Sequence, residues 1–203
     1  MLNRHARETF GRVFTPLARF LLRLHVSPDA VTLAGTLGVS LGAIILFPLG
    51  QLFWGVVVIT AFVFSDVIDG LMARLSQRAG TWGGFLDSTL DRVQDAAVFG
   101  GLALWFFGSG GSFLTGALAV ACLALGNIVS YARAKAESLG YAANVGIAER
   151  AERLVSTLVV AGLVGLGLPA VFLTWTLGLL AAASAVTVVQ RVLAVHRQAG
   201  SRG

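Results

Sequence analysis

The sequence predicts an all-α integral membrane protein, with six transmembrane helices preceded by an N-terminal amphipathic juxtamembrane helix. Three observations carry this prediction. Of 203 residues, 56% are apolar and 12% charged, and mean hydropathy is +0.82, a composition typical of membrane proteins rather than soluble domains. Residues 30–65, 96–132 and 154–190 contain no Asp, Glu, Lys or Arg. One span takes about 20 residues, so each stretch fits two spans and a short uncharged turn. Finally, every charged cluster falls between or outside these stretches, so three helical hairpins would put all of them on one side of the membrane.

The net charge of +5 is then a positive-inside bias that places that side, with both termini, in the cytoplasm. It does not imply nucleic-acid binding. A single cysteine, Cys122, excludes an internal disulfide and suits core packing. His5, His25 and His196 show no ligand spacing. The first 29 residues lack a continuous apolar region and carry no cleavable signal.

Residues 1–25 intersperse Arg4, Arg7, Arg12, Arg19 and Arg23 with Phe10, Val13, Phe14, Leu17, Phe20, Leu21, Leu22 and Leu24. This pattern predicts an amphipathic helix on the membrane surface, interrupted near Pro16. Residues 26–203 form the transmembrane domain. Ser27 caps the first span (about 30–47) and Pro28 takes its first turn. Gly35, Gly38 and Gly42 allow close helix packing in it. The remaining spans are expected near 53–76, 84–107, 113–135, 148–167 and 171–194. The turns away from the charged side fall at Pro48–Gln51, Gly108–Gly111 and Gly165–Pro169, and residues 77–82 turn back on the charged side.

The unusual segment lies between the second and third spans. Five of the ten acidic residues, Asp66, Asp69, Asp87, Asp91 and Asp95, occur within 30 positions of apolar sequence. A charged group at mid-span costs about 2.5–3.5 kcal/mol on insertion scales, so something must offset this cluster. Asp66 and Asp69 are i,i+3 and Asp87 and Asp91 are i,i+4, so each pair shares a helix face. Two such faces turned together would bring four carboxylates into one cluster, which calls for cations. All-oxygen ligands suit Mg²⁺ or Mn²⁺, and four carboxylates can hold two ions in an arrangement that polarises phosphates. Gly70 and Gly83 leave room for a ligand beside them, and Arg74 can pair with a phosphate oxygen. The competing reading pairs the carboxylates with Arg74, Arg78 and Arg92, which are too few to neutralise five aspartates. Asp95 extends the row from Asp91 and suits a structural pair with Arg92 or a neighbouring helix.

Asp66-x2-Asp69-Gly70-x2-Ala73-Arg74-x8-Gly83-x3-Asp87-x3-Asp91 resembles the signature of the CDP-alcohol phosphotransferase family, with every fixed position present. The resemblance implies a metal-dependent membrane enzyme that transfers a phosphoryl-alcohol group from a CDP-alcohol to an acceptor hydroxyl and releases CMP. It implies Asp66, Asp69, Asp87 and Asp91 as metal ligands, with Asp91 also the candidate general base. It places Gly70, Ala73, Arg74 and Gly83 at the donor. Pro28-Asp29-Ala30-Val31-Thr32 resembles the family's nucleotide-contacting segment, and Gly80 and Thr81 could hydrogen-bond phosphate. Trp82 is expected at the membrane interface.

Lys135, Arg153 and Arg191 stand at the charged ends of three different spans. Each alone could be a snorkelling anchor. Together they can form a pocket for an anionic acceptor, whose local charge Glu149 and Glu152 temper. Thr15–Arg19, Pro28–Thr32, Leu46–Gly50 and Glu149–Leu154 are similar to the actinobacterial phosphatidylinositol-phosphate synthases. That similarity implies CDP-diacylglycerol as donor, inositol phosphate as acceptor and a homodimer. A phosphatidylglycerophosphate synthase, whose acceptor is glycerol 3-phosphate, is the nearest alternative. A membrane cation transporter is the alternative of another class; the carboxylates' position near one membrane face and the uncharged outer turns weigh against it.

Overall fold

The computed structural model describes residues 14–76 and 80–201, with the side chains of Asp66 and Val67 outside that description. Among the described residues the chain is all helical: α1 (residues 14–23), α2 (Pro28–Leu41), α3 (Leu52–Val63), α4 (Ser65–Leu75), α5 (Thr81–Phe107), α6 (Phe113–Ser138), α7 (Arg150–Gly165) and α8 (Val171–Gly200). The first thirteen residues of the expected surface helix lie outside the description. Residues 14–23, Pro16 among them, are helical, and the rest of the segment on the N-terminal side of Pro16, where an interruption is expected, lies outside the described residues.

Ser27 caps α2 as its sequence suggests, accepting the Ala30 amide at 3.2 Å. The helix continues into a π-helical turn, Gly42–Leu46, packed against α3 and α5. Gly101 on α5 lies so close to the Ala43 carbonyl that a Cβ there would collide with it, and this small residue lets the two backbones meet. The chain reverses through Gly50 (φ +75°) and again through Gly111 (φ +62°), a left-handed conformation that costs glycine little. The third hairpin bends between α7 and α8. Additional packing of α6 on α8, α3 on α7 and α2 on α5 joins the hairpins. Phe47, Ile59, Phe99, Leu102, Phe106, Leu173 and Leu177 lie in the shared core.

Among the described residues, four helical segments are long and apolar enough to cross a membrane: Pro28–Leu46, Leu52–Leu75, Phe113–Ser138 and Val171–Gly200. Length and composition thus identify four of the six expected spans. Helix α5 has 27 residues, but Asp87, Asp91, Arg92 and Asp95 interrupt its apolar character. Helix α7 has 16, short of the roughly 20 that a perpendicular crossing takes. Large apolar side chains, among them Leu37, Phe113, Trp175 and Leu179, are exposed around the bundle, as a lipid-facing surface requires.

The span Leu52–Leu75 bends at Phe64, between α3 and α4, and Ser65 Oγ donates to the Phe62 carbonyl at 2.6 Å. On α2, Gly35 faces Ser65 so closely that a Cβ would overlap its hydroxyl. The bend and this close approach bring α4 alongside α2 and set Asp69 against Thr32.

Candidate active site

Two polar centres meet along α5. The first joins the starts of α2 and α5 to α4. Asp69 is 8% exposed and its Oδ2 accepts the Thr32 hydroxyl at 2.5 Å. Thr32 Oγ1 also lies 3.1 Å from the Pro28 carbonyl. The charges of Asp87 and Asp29 both act on Asp69. Asp29 in turn accepts the Trp82 indole N–H at 2.9 Å, which ties the first turns of α2 and α5 together; the Trp82 ring is exposed, as expected of an interface aromatic. Of the other residues read as donor-binding, Pro28 is buried, Asp29 and Val31 are half-buried, and Ala30 is exposed on the same first turn.

The glycines here are not explained by packing. A Cβ on Gly83 would meet nothing within 4 Å, and one on Gly70 would only reach the Arg74 guanidinium at 4.0 Å. Both leave open space along the aspartates. Arg74 and Asp87 are exposed beside that space, Ala73 is half-buried, and Gly80 and Thr81 begin α5.

Among the described residues no three Asp, Glu, His or Cys side chains group as metal ligands, and the Asp66 side chain lies outside that set. The donors nonetheless fit a hard divalent ion. They are carboxylates alone, and the buried Asp69 lies in the field of two further carboxylates with a neutral hydroxyl as its hydrogen-bond partner.

The second centre lies one to two turns along α5. Arg150, in the first turn of α7, reaches three α5 side chains: Asp91 Oδ1 at 2.8 Å, Asp95 Oδ1 at 3.1 Å and Gln94 Oε1 at 2.8 Å. Gln94 passes the connection to α2 by donating to Thr36 Oγ1 at 3.2 Å. Arg92 lies 3.6 Å from Asp91 and 4.0 Å from Asp95 and donates to Ser130 on α6. Asp95 is thus the paired group that its position outside the motif suggests, although its main partner, Arg150, comes from a distant helix.

Beside this network opens a cavity of ≈710 Å³. One face of α6 forms a wall through Asn127, Ser130, Tyr131, Ala134 and Glu137. Asp91 and Arg92 of α5, Glu149 and Arg150 at the start of α7, and Arg191 of α8 close it. Arg191 is the one member of the expected acceptor trio that lines it. Its Nε and Nη1 donate to the carbonyls of Val145 and Val129 at 2.9 and 2.6 Å. Lys135 is exposed on the last turn of α6 and is not among the lining residues. Arg153 is 1% exposed and sits behind the wall. There Nη1 donates to the Ala148 carbonyl at 3.1 Å and Nη2 stands 3.8 Å from Asp95. Gly126 admits it, since a Cβ there would lie 2.9 Å from the guanidinium.

The sequence reading did not single out Arg133, Arg150 or Asn127. Arg150 carried a signal in hindsight, since a cation at the charged end of an apolar helix can answer an aspartate left over from a motif. Asn127 carried none, because a lone amide in an apolar stretch reads as helix packing.

Comparison with known proteins places this geometry. A family model for CDP-alcohol phosphatidyltransferase matches residues 25–189. A protein of Streptomyces avermitilis named phosphatidylinositol phosphate synthase is 53% identical over 98% of this chain and 84% of its own length. One of the same name from Cutibacterium acnes is 50% identical over 95% of this chain and 97% of its own. The crystal structure of the Mycobacterium tuberculosis phosphatidylinositol phosphate synthase with CDP-DAG bound superposes with a TM-score of 0.85, at 40% identity, over 91% of this chain and 94% of that one. A second structure of that enzyme, in complex with manganese and citrate, superposes with a TM-score of 0.83 at 39% identity, covering 90% of this chain and 88% of its own. The Asp motif, the open glycine-lined face beside it and a match that spans most of the chain have one common explanation: this chain belongs to the CDP-alcohol phosphatidyltransferase family.

Proposed function

We propose that this protein transfers the phosphatidyl group of CDP-diacylglycerol to inositol phosphate, giving phosphatidylinositol phosphate and CMP. One observation carries the reading: α5 bears Asp87, whose charge acts on the aspartate-rich corner suited to metal and diphosphate, and one turn on Asp91, which lines the arginine-rich cavity. Relatives at 50–53% identity bear the corresponding name.

In this reading Asp66, Asp69, Asp87 and Asp91 hold two divalent ions, Mg²⁺ or Mn²⁺. When bound, these offset charge on the diphosphate and on the departing CMP. The Pro28–Thr32 turn takes the cytidine end of the donor. Gly70, Ala73, Gly80, Thr81 and Gly83 line its approach, and Arg74 pairs with a phosphate oxygen. Arg191, which lines the cavity, draws the phosphate of the acceptor, and Lys135 and Arg153 add positive charge from outside its lining. The acceptor hydroxyl attacks the β-phosphorus. A new O–P bond forms, the bond to the CMP oxygen breaks, and Asp91 takes the hydroxyl proton. Thr32 orients Asp69, and Arg150 with Arg92 orients Asp91.

Residues 26–203 form the catalytic domain and 1–25 an interfacial helix. Helices α5 and α7 complete six spans inside the bundle, where the ion pairs of α5 are made with α7 rather than facing lipid. The chain works as a homodimer in the bacterial cell membrane, with the catalytic corner on the cytoplasmic side, where the nucleotide is soluble. The distribution of charged residues and the uncharged outer turns support this orientation.

The test is CMP release by purified protein with CDP-diacylglycerol and Mg²⁺ or Mn²⁺, offering inositol phosphate, free inositol and glycerol 3-phosphate separately. Turnover with inositol phosphate alone is expected. Turnover with glycerol 3-phosphate instead would overturn the acceptor and keep the mechanism.

A further inference from the structure

The cavity holds four arginines, Arg92, Arg133, Arg150 and Arg191, yet each is already engaged. Arg92 and Arg150 face Asp91 and Asp95. Arg133 pairs with Glu137 at 2.9 Å. Arg191 commits Nε and Nη1 to carbonyls, which leaves Nη2 as the nitrogen that can meet an incoming anion. What stands opposite Nη2 is the Glu149 carboxylate, at 3.9 Å. Glu149 is 54% exposed by its side chain, whereas Arg191 is 3% exposed. The partner that can move is therefore the glutamate. It is the N-cap residue of α7, but its side chain makes no capping hydrogen bond, so α7 does not need it there.

We propose that Glu149 occupies the anion seat on Arg191 and is displaced when the phosphate of the acceptor arrives. This rests on the reading that the acceptor carries a phosphate. The carboxylate keeps the buried guanidinium paired until then, and because it competes with the incoming phosphate it lowers the affinity for the acceptor. Glu137 and Arg133, both lining the cavity, also act on Arg191 through their charges. These remain in place when Glu149 is changed, so the effect of Glu149 can be read separately.

The experiment compares wild type with Glu149→Gln, which keeps size and removes charge. Two readouts are taken: the KM for the phosphorylated acceptor, and the equilibrium Kd for inorganic phosphate in the absence of donor. Removing one unit charge at about 4 Å in a solvated setting is expected to lower both about fivefold. The gain should shrink at high salt, and Arg191→Gln should abolish it. An unchanged or raised phosphate Kd in a Glu149→Gln protein with wild-type thermal stability would overturn the proposal. The acceptor reading fails separately, by wild-type turnover with free inositol alone, and the phosphate Kd then still decides the role of Glu149.

Discussion

Thr32 and Asp69 show how the proposed metal corner is organised. The carboxylate is buried beside two further aspartates, and a hydroxyl from another helix fixes its orientation at 2.5 Å. Hydrogen bonds behind a metal ligand typically govern affinity by 10–100-fold. Thr32→Val is therefore expected to weaken Mn²⁺ binding by about one to two orders of magnitude, measured by metal titration of the purified protein. Asp69→Asn, which removes the ligand charge itself, should abolish metal-dependent CMP release while the protein still folds; retained activity would remove Asp69 from the metal set.

Between helices, the decisive feature is the tie from α5 to α7. Asp95 is 3% exposed and faces Arg150, Arg153 and Arg92. Removing one side of a buried pair typically costs about 3–5 kcal/mol because the partner charge stays behind. Asp95→Ala should therefore lower the thermal midpoint far more than Asp87→Ala, whose side chain is exposed, in detergent-solubilised protein. Gly126→Ala tests the same region from α6. Its Cβ would press on the Arg153 guanidinium at 2.9 Å, and overpacking of this kind costs about 1–3 kcal/mol. Asp95→Ala removes the carboxylate shared by Arg92, Arg150 and Arg153, whereas Gly126→Ala displaces one of these cations, so the two separate charge from packing in the same network.

Across the whole molecule, the distribution of charge supports the proposed orientation, and helix length marks the segments able to cross unaided. The single cysteine, Cys122, is fully buried, so a reporter can be introduced against a quiet background. With the proposed topology, Ser109→Cys in the outer turn should react with an impermeant maleimide in intact cells. Ser201→Cys at the cytoplasmic end should react only after lysis. The opposite pattern would invert the orientation. In the proposed six-span arrangement, partly charged α5 and short α7 are tolerated at membrane depth because Arg150 and Arg153 of α7 meet the polar groups of α5.

The sequence by itself determined the helical class, the hairpin turns and the aspartate motif. Periodicity and charge-free length are local properties, and Asp66, Asp69, Asp87 and Asp91 announce themselves as carboxylates at helical spacing in apolar sequence. Ser27 and Pro28 were legible as a helix start for the same local reason. Only the tertiary structure decided which cation meets which carboxylate. Arg150 lies 55 positions from Asp95, and nothing local distinguishes it from Arg153 three residues on. The helix rotation that turns Arg150 onto Asp91 buries Arg153 against Gly126 and leaves Lys135 exposed at the end of α6. Contacts between helices depend on rotation and crossing rather than on composition, so the arginine wall of the cavity, and Glu149 seated on Arg191, emerge only when α5, α6, α7 and α8 are assembled.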